Sequence, residues 1–110
     1  MASEKIDLLQ GTLDLIVLRL LRAGPANGWD VVQNIRLVSK GALEVNYGSV
    51  YPALRRLEAR GLVKASWGAS ENNRRARYYE LTSTGLKELA AERMAWERFS
   101  TALGLILAHE

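Results

Sequence analysis

Asn46-Tyr-Gly-Ser-Val-Tyr-Pro-Ala-Leu-Arg-Arg-Leu-Glu-Ala-Arg-Gly61 has two unlike sides. Val50, Leu54 and Leu57 recur at helical spacing and make one apolar face. Gly48, Arg55, Arg56 and Ala59 fall on or near the opposite side. A helix with a narrow apolar back and a small, polar, basic front can dock on a core and enter a groove. Two starts compete. With Ser49 as N-cap, Pro52 falls in the first turn, where its missing N–H costs no intrahelical bond. A start at Asn46 puts Pro52 inside the helix and costs one. The reading favours a start near Ser49 after a less regular turn, with Gly61 as the residue just past the end. Alone, the segment also fits an ordinary core helix with a solvated basic face, so its neighbours decide.

Upstream, Gly11-Thr12 precedes Leu13-Asp-Leu-Ile-Val-Leu-Arg-Leu-Leu21. Thr12 suits an N-cap and Asp14 the first turn. The run is apolar nearly all round, which places this first helix at the centre of the core. Ala23-Gly24-Pro25 stops it. Asn27-Gly-Trp-Asp30 opens the second helix, with Asn27 as cap and Asp30 completing a capping box. Trp29, Val32, Ile35 and Val38 supply its face, and Lys40-Gly41 closes it. The linker Ala42-Leu-Glu-Val45 then leads to the basic helix. Helix, short link, basic helix is the order of a helix-turn-helix.

Downstream, Leu62-Val-Lys-Ala-Ser-Trp67 and Arg77-Tyr-Tyr-Glu-Leu-Thr82 read as strands. The polar loop Gly68-Ala-Ser-Glu-Asn-Asn-Arg-Arg-Ala76 joins them, with turn residues at its tip. Two strands with a basic tip after a basic helix make a winged helix-turn-helix. The fold class is therefore mainly α with a small β-hairpin.

Thr82-Ser-Thr-Gly85 starts a last helix that runs to about Ala108. At 1.5 Å per residue it is about 40 Å long, more than a small core can cover. Leu89, Trp96 and Leu103 repeat at seven; Phe99 and Ile106 flank one side, Leu86 and Leu107 the other. Such a stripe on a projecting helix calls for a partner helix. The expected organisation is a DNA-binding unit over residues 1–82 and a dimerisation helix over 83–110.

The 110 residues suit one domain, and 48% hydrophobic against 25% charged residues makes it globular. The net charge of +3 is mild but unevenly placed. Residues 55–77 hold seven basic side chains against two acidic ones, whereas the flanking segments are balanced or acidic. A concentrated block of this kind suggests a polyanion footprint. There is no cysteine, which excludes disulfides, thiolate metal sites and cysteine nucleophiles. His109 is the only histidine, so neither a catalytic triad nor a histidine metal site has a candidate. Glu88 and Glu92, four apart on a helix, read as solvated surface rather than an acid–base pair. The reading is of a non-enzyme without cofactor or metal. No apolar run reaches the ~18 residues of a membrane span. Met1–Asp7 carries acids and lacks the basic flank of a leader. A cytoplasmic protein is expected.

Several of these segments together resemble the PadR family of bacterial transcriptional regulators, in its short form with one C-terminal helix. They are Gly11-Thr12-Leu13, Gly24-Pro25-Ala-Asn-Gly28, Ser49-Val-Tyr-Pro-Ala-Leu-Arg-Arg-Leu-Glu58, Gly61-Leu-Val63, the wing from Trp67 to Thr82, and Gly85. The likeness covers about residues 8–104. It implies a homodimeric protein that binds double-stranded DNA, usually as a repressor. It also implies, for some members, release by a small aromatic effector.

The residues expected to meet DNA are Asn46, Tyr47, Ser49, Tyr51, Arg55 and Arg56 around the basic helix, and Arg74, Arg75 and Arg77 on the wing. Arg55 on the outward face suits a guanine edge, and the wing arginines suit phosphates. Because the three wing arginines alternate along the chain, they do not all face one way. Leu86, Leu89, Trp96, Phe99, Leu103, Ile106 and Leu107 are expected at the dimer interface. Trp96 and Phe99 are the flat side chains that an aromatic effector would stack on. The competing reading is a winged-helix module that binds protein, since fold alone does not fix function. The arginine-rich block argues against it.

Overall fold

The computed structural model describes residues 10–109; Met1–Asp7, read above as no leader, lies outside them. Helix α1 (Gln10–Leu21) turns Leu13, Val17, Leu18 and Leu21 inward, and all four are buried. It begins earlier than expected. Gly11 and Thr12 lie inside the helix, so Thr12 does not cap it.

Strand β1 is only Ala26–Asn27, and it was not foreseen. Asn27 also caps α2 (Gly28–Val38): its Oδ1 accepts from Asp30 N at 2.8 Å, and its own N–H reaches back to Asp30 Oδ2. The capping box is the one read from the sequence. The face of α2 is not. Val31 and Ile35 are buried, Val32 is half-buried, and Trp29 and Val38 are exposed. The pairing of Asn27 with Tyr78 fixes the rotation of the helix start and turns Gly28 and Val31 inward. Lys40 and Gly41 close the helix in the left-handed region (φ 55° and 83°), with Gly41 N donating to Arg36 O at 2.8 Å.

Helix α3 (Tyr47–Ala59) starts at Asn46, not Ser49. Asn46 Oδ1 accepts from Ser49 N at 2.9 Å, and Asn46 O accepts from Val50 N at 3.3 Å. Pro52 is therefore inside the helix. The carbonyl it cannot serve is that of Gly48, four residues back. Both residues are exposed, so water can take that bond, and the cost that favoured a later start is small. Val50, Ala53, Leu54 and Leu57 are buried on the core side, as the spacing required. The end is a Schellman motif: Leu62 N donates to Leu57 O and Gly61 N to Glu58 O, both at 3.0 Å, with Gly61 at φ 74°.

Strands β2 (Val63–Ala69) and β3 (Arg75–Leu81) form the wing, longer than the expected strands and with a shorter loop. The sheet order is β1-β3-β2, antiparallel throughout. Trp67 stands opposite Arg77, and Ala65 opposite Tyr79, whose side chain is buried.

Helix α4 (Ser83–Ala108) is capped by Thr82, whose Oγ1 accepts from Gly85 N at 3.0 Å and donates to Gly61 O at 2.7 Å. Gly85 is buried against the Leu62 carbonyl, where a Cβ would collide with backbone. Leu89 packs into the same buried core as Leu13 and Ile35. It is largely spent on the chain's own fold rather than standing free in the stripe expected at the interface. From Arg93 onward α4 is exposed and projects, stretching the molecule to 56 × 37 × 20 Å. Among the described residues no helix is long and apolar enough to cross a membrane. The architecture is a winged helix-turn-helix with a long C-terminal helix.

Candidate nucleic-acid interface

The outer side of α3 is a stripe four residues apart: Tyr47, Tyr51 and Arg55, all exposed. The two tyrosine rings stack at 5.9 Å between centroids. Arg55 Nη1 donates to Tyr51 Oη at 3.1 Å, and its guanidinium lies 5.6 Å from the Tyr51 ring centre. The stripe is held together before any ligand arrives. Asn46, Ser49 and Gly48 are exposed at its N-terminal end, though the Asn46 side-chain oxygen is occupied by the cap.

The basic block divides in two. Arg56 is not on the outer face. It turns toward α1, where Nη2 donates to Asp14 Oδ1 at 2.8 Å. Arg60 bridges to Glu88 at 3.2 Å, and Arg77 to Glu58 at 2.9 Å. The hydrogen bond to Glu58 raises the Arg77 pKa, so this guanidinium stays charged. These three hold α3 to α1, α4 and the wing. Arg55, Lys64, Arg74 and Arg75 make no ion pair among the described residues. Arg56, expected to meet DNA, is thus engaged by Asp14 rather than standing free on the outer face. Arg77 is half-buried and already bonded, so its part is at most shared.

On the wing, Arg75 and Arg77 are two apart and share a face of β3, while Arg74 lies in the exposed loop. Trp67 is directly opposite Arg77 and diagonal to Arg75. The Arg75 guanidinium sits 4.3 Å over the Trp67 ring and that of Arg77 5.7 Å from it. At about 6 Å or less such cation–π contacts are attractive. The loop that carries Arg74 is closed by Ser70 N to Arg74 O and Asn73 N to Ser70 O, both 2.8 Å, with Asn73 at φ 57°.

A model of the transcriptional regulator PadR-like family matches residues 17–91. The chain belongs to that family. A PadR family transcriptional regulator of Eggerthella lenta is 29% identical, with 92% of this chain and 86% of that one covered at a TM-score of 0.77. A transcriptional regulator of Clostridium thermocellum is also 29% identical, over 86% of this chain and 89% of its own, at 0.78. A PadR-like regulator of Bacillus cereus is 26% identical over 93% and 97%, again at 0.78. An uncharacterised protein of Lysinibacillus sphaericus is 25% identical over 101 residues. This PadR-like chain is a transcriptional regulator, and its family is one of regulators rather than enzymes.

Within the PadR-like fold, the sequence reading missed Trp67, Trp29 and Tyr79, which gather with Tyr47 and Tyr51 between α3 and the wing. A signal was present. Arg75, Arg77 and Tyr79 alternate on one strand face, and Ala65 and Trp67 do so on the other strand. Strand register, unknown from sequence, was needed to bring them together.

Proposed function

We propose that the protein is a homodimeric, sequence-specific DNA-binding repressor in which residues 1–82 bind DNA and the helix over residues 83–110 forms the dimer. The observation that carries it is the exposed Tyr47–Tyr51–Arg55 stripe beside the unpaired wing cations Arg74 and Arg75. In this reading α3 enters the major groove, Arg55 reads a base edge and the wing rests on the adjacent backbone. Asn46 and Ser49 stand at the groove entrance. Leu86, Trp96, Phe99, Leu103, Ile106 and Leu107 of α4 meet the partner copy; all are exposed in the single chain. A twofold dimer then reads a pseudo-palindrome with half-sites about 34–36 Å apart. The apolar groove of ≈ 340 Å³ between α1, α2 and Trp96 continues this surface. Trp96 and Phe99, with ring centres 5.9 Å apart, are the site for a planar aromatic effector. Repression and effector release rest on the family likeness. Binding of random and selected duplexes over a range of salt tests the reading: no binding at low salt would refute it.

A further inference from the structure

The cleft between α3 and the wing is a site that DNA reading does not use up. Its volume is ≈ 540 Å³, within the roughly 300–1,000 Å³ of small-ligand sites. Trp29, Tyr51 and Trp67 line it, together with Arg75, Arg77 and Tyr79.

Two buried polar atoms there, Tyr79 Oη and Arg77 Nε, have no hydrogen-bond partner among the described residues. Arg77 Nε–H is a donor only. The Tyr79 phenol is held above its ordinary value of 10.0 by burial, so it stays protonated and can donate too. What both lack is an acceptor. An orphaned buried hydroxyl is destabilising, and a ligand oxygen would remove that cost. The charge is also defined. Glu58 balances Arg77, whereas Arg75 is fixed over Trp67 with no carboxylate partner among the described residues. No carboxylate is among the lining residues. The cleft thus offers one net positive charge, two orphan donors and aromatic faces. That combination matches an anion with several acceptor oxygens joined to a flat ring.

We propose that this cleft binds a nucleoside phosphate ester, its phosphate held by Arg75, Arg77 and Tyr79 and its ring set against Trp67 and Trp29. A free mononucleotide offers both its phosphate and its ring, whereas a duplex offers its phosphates with the bases stacked inside. The first competes with the second, because the cleft lies inside the proposed DNA face.

Equilibrium dialysis of the full chain against deoxyadenosine monophosphate tests the free source, with inorganic phosphate as the ring-less probe. Binding of random duplex tests the strand source. Tyr79→Phe and Arg75→Gln are compared with the parent chain. The expected result is saturable mononucleotide binding that inorganic phosphate does not match. Each variant weakens it about tenfold or more, the loss of one charge-assisted bond. Tyr79→Phe should melt no lower than the parent, because it deletes an unpartnered hydroxyl. If only duplex binds, and both variants weaken it, these side chains serve the phosphates of the strand and the nucleotide site is overturned. If both variants hold mononucleotide and duplex as the parent does, or if the parent binds neither, the proposal is overturned. Inorganic phosphate binding as tightly as the mononucleotide overturns the role of the rings. Mononucleotide binding without duplex binding sinks the DNA-binding reading alone.

Discussion

Arg56 Nη2 lies 2.8 Å from Asp14 Oδ1 and ties the middle of α3 to the first helix. Asp14 is 9% exposed at its side chain and Arg56 31%. An almost buried carboxylate next to an apolar helix face needs that partner. The pair explains why α1 tolerates an acid among Leu13, Val17 and Leu18, and why one arginine of the basic block is turned away from solvent.

Arg56→Ala should therefore cost about 2 kcal/mol of stability, below the 3–5 kcal/mol of a fully buried pair because the arginine is partly wet. Denaturant unfolding measures it. DNA affinity at a temperature where the variant is folded should change little. A variant of parental stability that has lost DNA binding would return Arg56 to the interface.

The second expectation concerns pH. Burial, then the hydrogen bond to Glu88, pushes the Glu92 carboxyl up from 4.5 to about 7, with Asp14 adding repulsion and Arg60 opposing it. The shared hydrogen bond moves Glu88 the other way, below its ordinary value. For Glu92 the folded chain binds a proton more tightly than the unfolded chain. Its contribution to stability is fully present below about pH 4.5 and is lost as pH rises to about 7. The Glu88 contribution runs oppositely and is lost only on further acidification below 4.5. Glu92→Gln should flatten the Tm profile between those two pH values. An unchanged slope in the variant would show that the pair does not share its proton.

Much of this was legible in the residues. The capping box of Asn27 and Asp30, the Gly61 stop and the start of α4 within Thr82–Gly85 are local, and each formed as the residue types required. The inward face of α3 followed from the spacing of Val50, Leu54 and Leu57. What failed depended on distant partners. Nothing near Arg56 in the chain points to Asp14, 42 residues away. Leu89 looks like part of a heptad stripe until the first turns of α4 are seen packed on the core. The aromatic cleft needed the two-residue strand β1 and the pairing of Trp67 with Arg77, which only the assembled sheet supplies.

The dimer should be held by the distal half of α4. Phe99→Glu with Leu103→Glu puts charge on side chains that are exposed in the single chain, so each protomer keeps its own core. Burying such side chains contributes about 1.5–3 kcal/mol each. Sedimentation should give a dimer for the parent and a monomer of unchanged helicity for the double variant. A double variant that still sediments as a dimer would place the interface elsewhere.

An effector stacked on the Trp96 and Phe99 rings should quench tryptophan fluorescence and release DNA together. Trp96→Ala should lose both effects for the same planar compounds. A broad panel of planar aromatics that neither quenches nor releases DNA would remove the site.

The most direct test of the central claim is the binding of Arg55→Ala and Arg74→Ala to two duplexes, one selected from a random pool and one random, at several salt concentrations. Arg55 projects from the outer face of α3 and Arg74 from the wing loop. The account predicts that Arg55→Ala loses about 1–3 kcal/mol on the selected duplex and much less on the random one. It predicts that Arg74→Ala weakens both about equally and lowers the salt slope by about one. Equal loss on both duplexes for Arg55→Ala would make Arg55 a backbone contact. No change in either variant would show that α3 and the wing are not the DNA-binding surface.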